Sequence, residues 1–164
     1  LLRIWHLNIL ESKRNEAIYI RLAVSRMQHC RGVAEKMKEI TENNPEKYPY
    51  DPEEMYVLGL LHDVGYGLCA CGPEHPAVGA NALKRSGYKY WKEVLYHSRP
   101  NIPYKSPALE LLNYCDLTVG PNGEDMTVPE RIGDISIRYG QGSSQVKNAL
   151  QMIDELKKLG YKVM

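Results

Sequence analysis

The chain has 164 residues, 43% of them apolar and 25% charged, enough to close one hydrophobic core. A formal net charge of +1 argues against a binder of nucleic-acid polymers or membrane surfaces held by bulk charge. No run reaches the roughly 18 apolar residues of a membrane span, and no low-complexity tract suggests disorder.

The opening LLRIWHLNIL is interrupted by Arg3 and His6 and no small-residue cleavage site follows it. It therefore does not read as a signal peptide, and the cytoplasm is the expected compartment. A helix is expected before residue 22, so that residues 1–24 form a helical extension and residues 25–164 the main domain. From Ser25 to about Asn43, Met27, Cys30, Ala34 and Met37 recur at three- to four-residue spacing, the stripe of an amphipathic helix. NNPEKYPYDP breaks it. Asp51, Pro52 and two glutamates then make a helix start: a cap, a proline in the first turn, and negative charge at the positive end of the dipole. This helix is expected to run through MYVLGLLHDV and stop at Gly65. Pro76 opens PAVGANALKRSG, ended by Gly87; YKYWKEVLYHS follows, stopped by Pro100; Pro107 opens PALELLNYCDLT. VPERIGDISIRYG and SSQVKNALQMIDELKKLG complete about seven helices, each of the two ending in glycine. No convincing strand alternation is present. The expected fold is an all-α bundle.

Cysteine use does not suggest a structural zinc. Cys30 and Cys115 lie within helical patterns, where a free cysteine acts as a small apolar group. Cys69 and Cys71 form one C-x-C pair with no second pair to complete a four-thiolate set.

Four of the five histidines, His29, His62, His75 and His97, fall in or at the ends of these helices. His62 has Leu58 and Met55 one and two turns behind it, and His97 follows Val94 by three. A single histidine on such a face is more often a satisfied core residue than a ligand. The carboxylates change the balance. Asp116 has Leu112 and Leu109 behind it on an apolar face, and burying an unpaired carboxylate costs several kcal/mol. Asp63 adjoins His62. A cation would account for both carboxylates and the histidines together.

In order along the chain, SRMQHCRGVA, LGLLHDVGY, EHPAVGANAL, EVLYHS and LLNYCDLT resemble the motifs of the HD-domain superfamily of metal-dependent phosphohydrolases. The resemblance runs from about Ser25 to Asp116 and is closest to the two-metal branch, in particular to bacterial symmetric diadenosine tetraphosphate hydrolases. It implies an all-α HD bundle in which His29, His62, Asp63 and Asp116 hold one metal. Asp63 would bridge to a second ion held also by His75 and His97, making it the central catalytic residue. Imidazole and carboxylate donors suit one or two divalent transition ions, Fe or Mn first, with Zn or Ni as alternatives. Two ions about 3.5–4 Å apart can clamp a phosphoryl group during in-line attack.

The implied partner is a small phosphorylated substrate or nucleotide; a homo-oligomer is left open. Lys84, Arg85, Lys89 and Lys92 read as a solvated helix face, whereas Arg99, two residues past His97, reads as a phosphate contact that assists catalysis. Lys105 and Tyr66 are further candidates for contacting substrate. There are departures from the family pattern. Tyr66 stands where many two-metal relatives have lysine, HSRPNIP replaces a Thr-rich stretch, and LTVGPNGED follows the last aspartate in place of a Glu-Pro-x-Arg segment. HD-type di-iron oxygenases use the same ligand pattern, and a catalytically silent binding domain is a third reading.

Overall fold

The computed structural model describes residues 24–69 and 72–163. The helix expected before residue 22, and Cys71, lie outside these. Among the described residues there are seven helices of six residues or more, one single α-turn and a 3-10 turn at Gly72–Glu74: α1 Val24–Asn43, α2 Pro52–Leu61, the turn α3 Gly65–Leu68, α4 His75–Arg85, α5 Trp91–Tyr96, α6 Pro107–Thr118, α7 Val128–Tyr139 and α8 Ser144–Lys158. No strand is formed among the described residues; one isolated bridge joins Val119 to Asp125. The fold is all-α, as expected. None of these helices is long and apolar enough to cross a membrane.

The helix starts follow their local chemistry. Asp51 accepts from the backbone N–H of Glu53, with Pro52 in the first turn. Ser106 caps α6 through Leu109, and Thr127 caps α7 in a reciprocal capping box with Glu130. The main difference from expectation is at the end of α2. It stops at Leu61 instead of running to Gly65, and the next bonds are of the tighter i−3 kind, Val64 N–H to Leu61 O and Tyr66 N–H to Asp63 O. The reason is a close approach: a Cβ on Gly65 would lie 1.8 Å from the carbonyl oxygen of His75. The chain bends there so that the His62–Asp63 pair meets the start of α4.

Two cores result. The larger gathers Cys30, Val33, Ala34 and Met37 of α1, Leu58 and Leu61 of α2, and Leu111, Leu112 and Cys115 of α6. Helices α1 and α2 pack closely enough that a Cβ on Gly59 would fall 2.5 Å from Ala34 Cα. The smaller core joins Leu117 at the end of α6 to Val128 of α7 and Met152, Ile153 and Leu156 of α8. Between the two lies a cavity of about 290 Å³.

Candidate metal centre

Each predicted histidine is fixed from behind by a backbone carbonyl. Nδ1 of His29 faces Gly120 O at 3.0 Å, that of His62 faces Gly59 O at 2.7 Å, that of His75 faces Gly72 O at 2.8 Å and that of His97 faces Val94 O at 2.6 Å. A carbonyl can only accept, so Nδ1 carries the proton in all four rings. A ring that is neutral then presents its lone pair at Nε2, the form that ligates metal.

The four Nε2 atoms converge on two carboxylates. His29 Nε2 lies 3.0 Å and His62 Nε2 3.7 Å from Asp116 Oδ1. Asp63 divides its two oxygens. Oδ2 faces His62 at 3.6 Å and His29 at 3.9 Å, while Oδ1 faces His75 at 3.1 Å and His97 at 3.4 Å. His75 and His97 bring their Nε2 atoms to 3.4 Å of each other. Lone pairs this close repel unless a proton or a cation lies between them. His62 Nε2 is the clearest case, being buried with no hydrogen-bond partner among the described residues. Burial opposes charge on Asp63 and Asp116, yet the surrounding histidines hold both carboxyls well below the usual range, His62 acting most strongly on Asp63 and His29 on Asp116. This donor set fits a divalent cation. Two groups could each hold an ion, His29–His62–Asp116 and Asp63–His75–His97. Cys30 adjoins His62 and Asp63, but burial pushes its thiol up and away from the thiolate a metal would need.

All six predicted ligands are thus brought together. Tyr66 lines the cavity and stacks on His75, with ring centroids 3.9 Å apart. Arg99 also lines it. Lys105 does not: it is exposed on the connection into α6 and outside the residues that line the cavity. Lys84, Arg85, Lys89 and Lys92 are exposed, as a solvated face should be.

Sequence reasoning missed four residues. Arg26 donates to Asp63 Oδ2 at 3.0 Å, and its guanidinium carbon is 4.1 Å from the centroid of the Tyr66 ring. Ser98 donates from Oγ to Asp116 Oδ2 at 2.7 Å and sits at φ 57°, a left-handed conformation costly for serine and typical of a functional constraint. Arg131 and Arg138 of α7 line the cavity opposite them. A signal was available for three of these. Arg26 is one turn before His29, and Val128, Arg131, Ile135 and Arg138 recur at helical spacing on one face.

Four imidazoles and two carboxylates, with His75 and Asp116 half-buried and the rest buried, make two candidate groups for divalent metal on an all-α frame. A family model described as HD domain matches residues 26–136, and the chain belongs to the HD-domain family. The match extends past Asp116 through most of α7, further than the motifs alone reached. No curated protein and no solved structure matches the chain significantly.

Proposed function

We propose that this protein is a metal-dependent phosphohydrolase acting on a small phosphoester or nucleotide. The observation that carries the reading is the placement of Asp63, His75, His97 and Asp116 on the wall of a cavity that four arginines, Arg26, Arg99, Arg131 and Arg138, also line. Imidazole and carboxylate donors select the metal, and guanidinium groups match the planar faces of a phosphate. A volume of about 290 Å³ suits a small molecule rather than a polymer. The likeness of the motifs to symmetric diadenosine tetraphosphate hydrolases supports a nucleotide as substrate.

His29, His62 and Asp116 would hold one ion and His75 and His97 a second, with Asp63 shared. Fe or Mn is favoured, with Zn or Ni as alternatives. When bound, such ions polarise a phosphoryl oxygen and lower the pKa of water. The chain's own residues do the rest. Ser98 ties down Asp116 Oδ2 and leaves Oδ1 directed at His29 and His62. Tyr66 backs the His75 ring, and Arg99 meets the phosphate from the His97 side. Closure of α7 and α8 over the centre keeps it partly dry, which strengthens each charge–charge contact.

The test is phosphate release under argon from a panel of nucleotides and simple phosphoesters, with Mn, Fe, Zn or Ni supplied. Release without dioxygen, reduced by about 1–3 kcal/mol of transition-state binding in Arg99→Ala, is the expected result. No release from any member, together with oxygen uptake on a polyol or phosphonate, would replace this reading with an oxygenase.

A further inference from the structure

Tyr66 stands between two of the groups that hold Asp63. Its ring lies 3.9 Å from the His75 ring, centroid to centroid, with 19° between the planes. The guanidinium carbon of Arg26 lies 4.1 Å from the centroid of the same Tyr66 ring. Both distances are too short for an approach at the ring edge, and two groups this close cannot share one face. His75 and Arg26 therefore cover opposite faces of Tyr66.

The outer partners of this sandwich meet again at Asp63. Arg26 donates from Nη1 to Asp63 Oδ2 at 3.0 Å, and His75 Nε2 lies 3.1 Å from Asp63 Oδ1. Arg26, Tyr66, His75 and Asp63 thus form a closed ring of contacts, tied once more by the backbone N–H of Tyr66 donating to Asp63 O at 3.1 Å. The backbone puts Tyr66 in this place. Gly65 rests against the His75 carbonyl with no room for a side chain, and Tyr66 follows it directly.

The closed ring removes two freedoms. Nδ1 of His75 bonds Gly72 O, and one hydrogen bond leaves an imidazole free to swing about it. Arg26 is long and half-buried, so its guanidinium stays on Oδ2 only while a second contact fixes it. A flat aromatic face between them restrains both, by stacking on the imidazole and by cation–π attraction to the guanidinium. The Asp63 carboxylate then keeps one orientation, Oδ2 toward His29 and His62 and Oδ1 toward His75 and His97.

We propose that Tyr66 is a positioning residue for the second ion. Its ring, and not its hydroxyl, spaces Arg26 from His75 and so sets both the His75 imidazole and the Asp63 carboxylate. The proposal rests on the two-ion reading of the site and not on the reaction carried out there.

The test compares Tyr66→Phe and Tyr66→Leu with the wild-type full chain. Calorimetric titration of manganese(II) into the metal-free proteins reads the two ion affinities. Nitrogen–proton correlation spectra of the metal-free proteins, at a pH above the usual imidazole range, read which nitrogen of His75 carries the proton. Tyr66→Phe should match wild type within about threefold for both ions and show His75 protonated at Nδ1 alone. Tyr66→Leu should keep the first ion within about threefold, weaken the second by about tenfold or more, and show both tautomers of His75. If Tyr66→Leu does not fold, Tyr66→Met, equally without a flat face, takes its place. Equal losses in Tyr66→Phe and Tyr66→Leu would assign the role to the hydroxyl and overturn the proposal. Wild-type affinity for the second ion in Tyr66→Leu, or equal weakening of both ions, would overturn it as well. A wild type that takes up fewer than two ions would end the two-ion reading, and the His75 spectra would then decide the positioning role alone.

Discussion

Asp63 stands between the two candidate ligand groups. Its two oxygens look in different directions, one toward His29 and His62 and the other toward His75 and His97. Replacing it should therefore act on the whole centre, while replacing a histidine at one end should not. Asp63→Ala is expected to lose both ions and all turnover; His97→Ala is expected to keep the first ion and lose the second. Elemental analysis of the purified variants checks this, and equal metal content in wild type and Asp63→Ala would show that Asp63 does not bridge. The six candidate ligand positions were legible through the ordered motifs that resemble the HD-domain superfamily; periodicity by itself only marked polar groups such as His62 and Asp116 on apolar faces, where they seldom stand alone. The arginines were harder to read. An arginine reaches its target through a long side chain, so its position along the chain says little about where its charge sits. Lys105 shows the same difficulty from the other side: close in sequence to Arg99, it is exposed and is not among the residues that line the cavity.

Helix α7 carries Arg131 and Arg138 to the cavity, and its start is held by a capping box. Thr127 accepts from Glu130 N–H, and the Glu130 carboxylate accepts from both the backbone and hydroxyl of Thr127. Those bonds hold the Glu130 carboxyl below its usual range. A carboxyl depressed in the folded state stabilises above its unfolded value and loses that contribution as pH falls through the folded one. Thr127→Ala should destabilise the protein by about 1 kcal/mol at neutral pH. Urea denaturation should show the difference between variant and wild type shrinking as pH falls below about 4. A difference that stays constant from neutral to acid pH would mean the reciprocal bonds do not form in solution. The start and stop of most helices could be read from caps, prolines and glycines. The end of α2 could not, because it is set by Gly65 against the His75 carbonyl, a contact between segments that periodicity does not record.

At the scale of the molecule, the larger core of α1, α2, α4 and α6 positions the ligands, and the smaller core of α6, α7 and α8 brings cationic residues over them. The all-α class was visible in the sequence because nearly every segment keeps one period and one apolar face. The pairing of α7 and α8 against the centre was not, since an amphipathic helix states which face is buried but not against what. The central claim is that this arrangement holds two metal ions in a phosphate-binding cleft. It is tested most directly by crystals of the metal-loaded protein measured at the absorption edge of the bound element. The account predicts two anomalous peaks, each about 2.0–2.3 Å from its ligand atoms, one bounded by His29, His62 and Asp116 and the other by His75 and His97, with Asp63 touching both. No peak in the presence of saturating Mn or Fe, or peaks ligated by other residues, would contradict it.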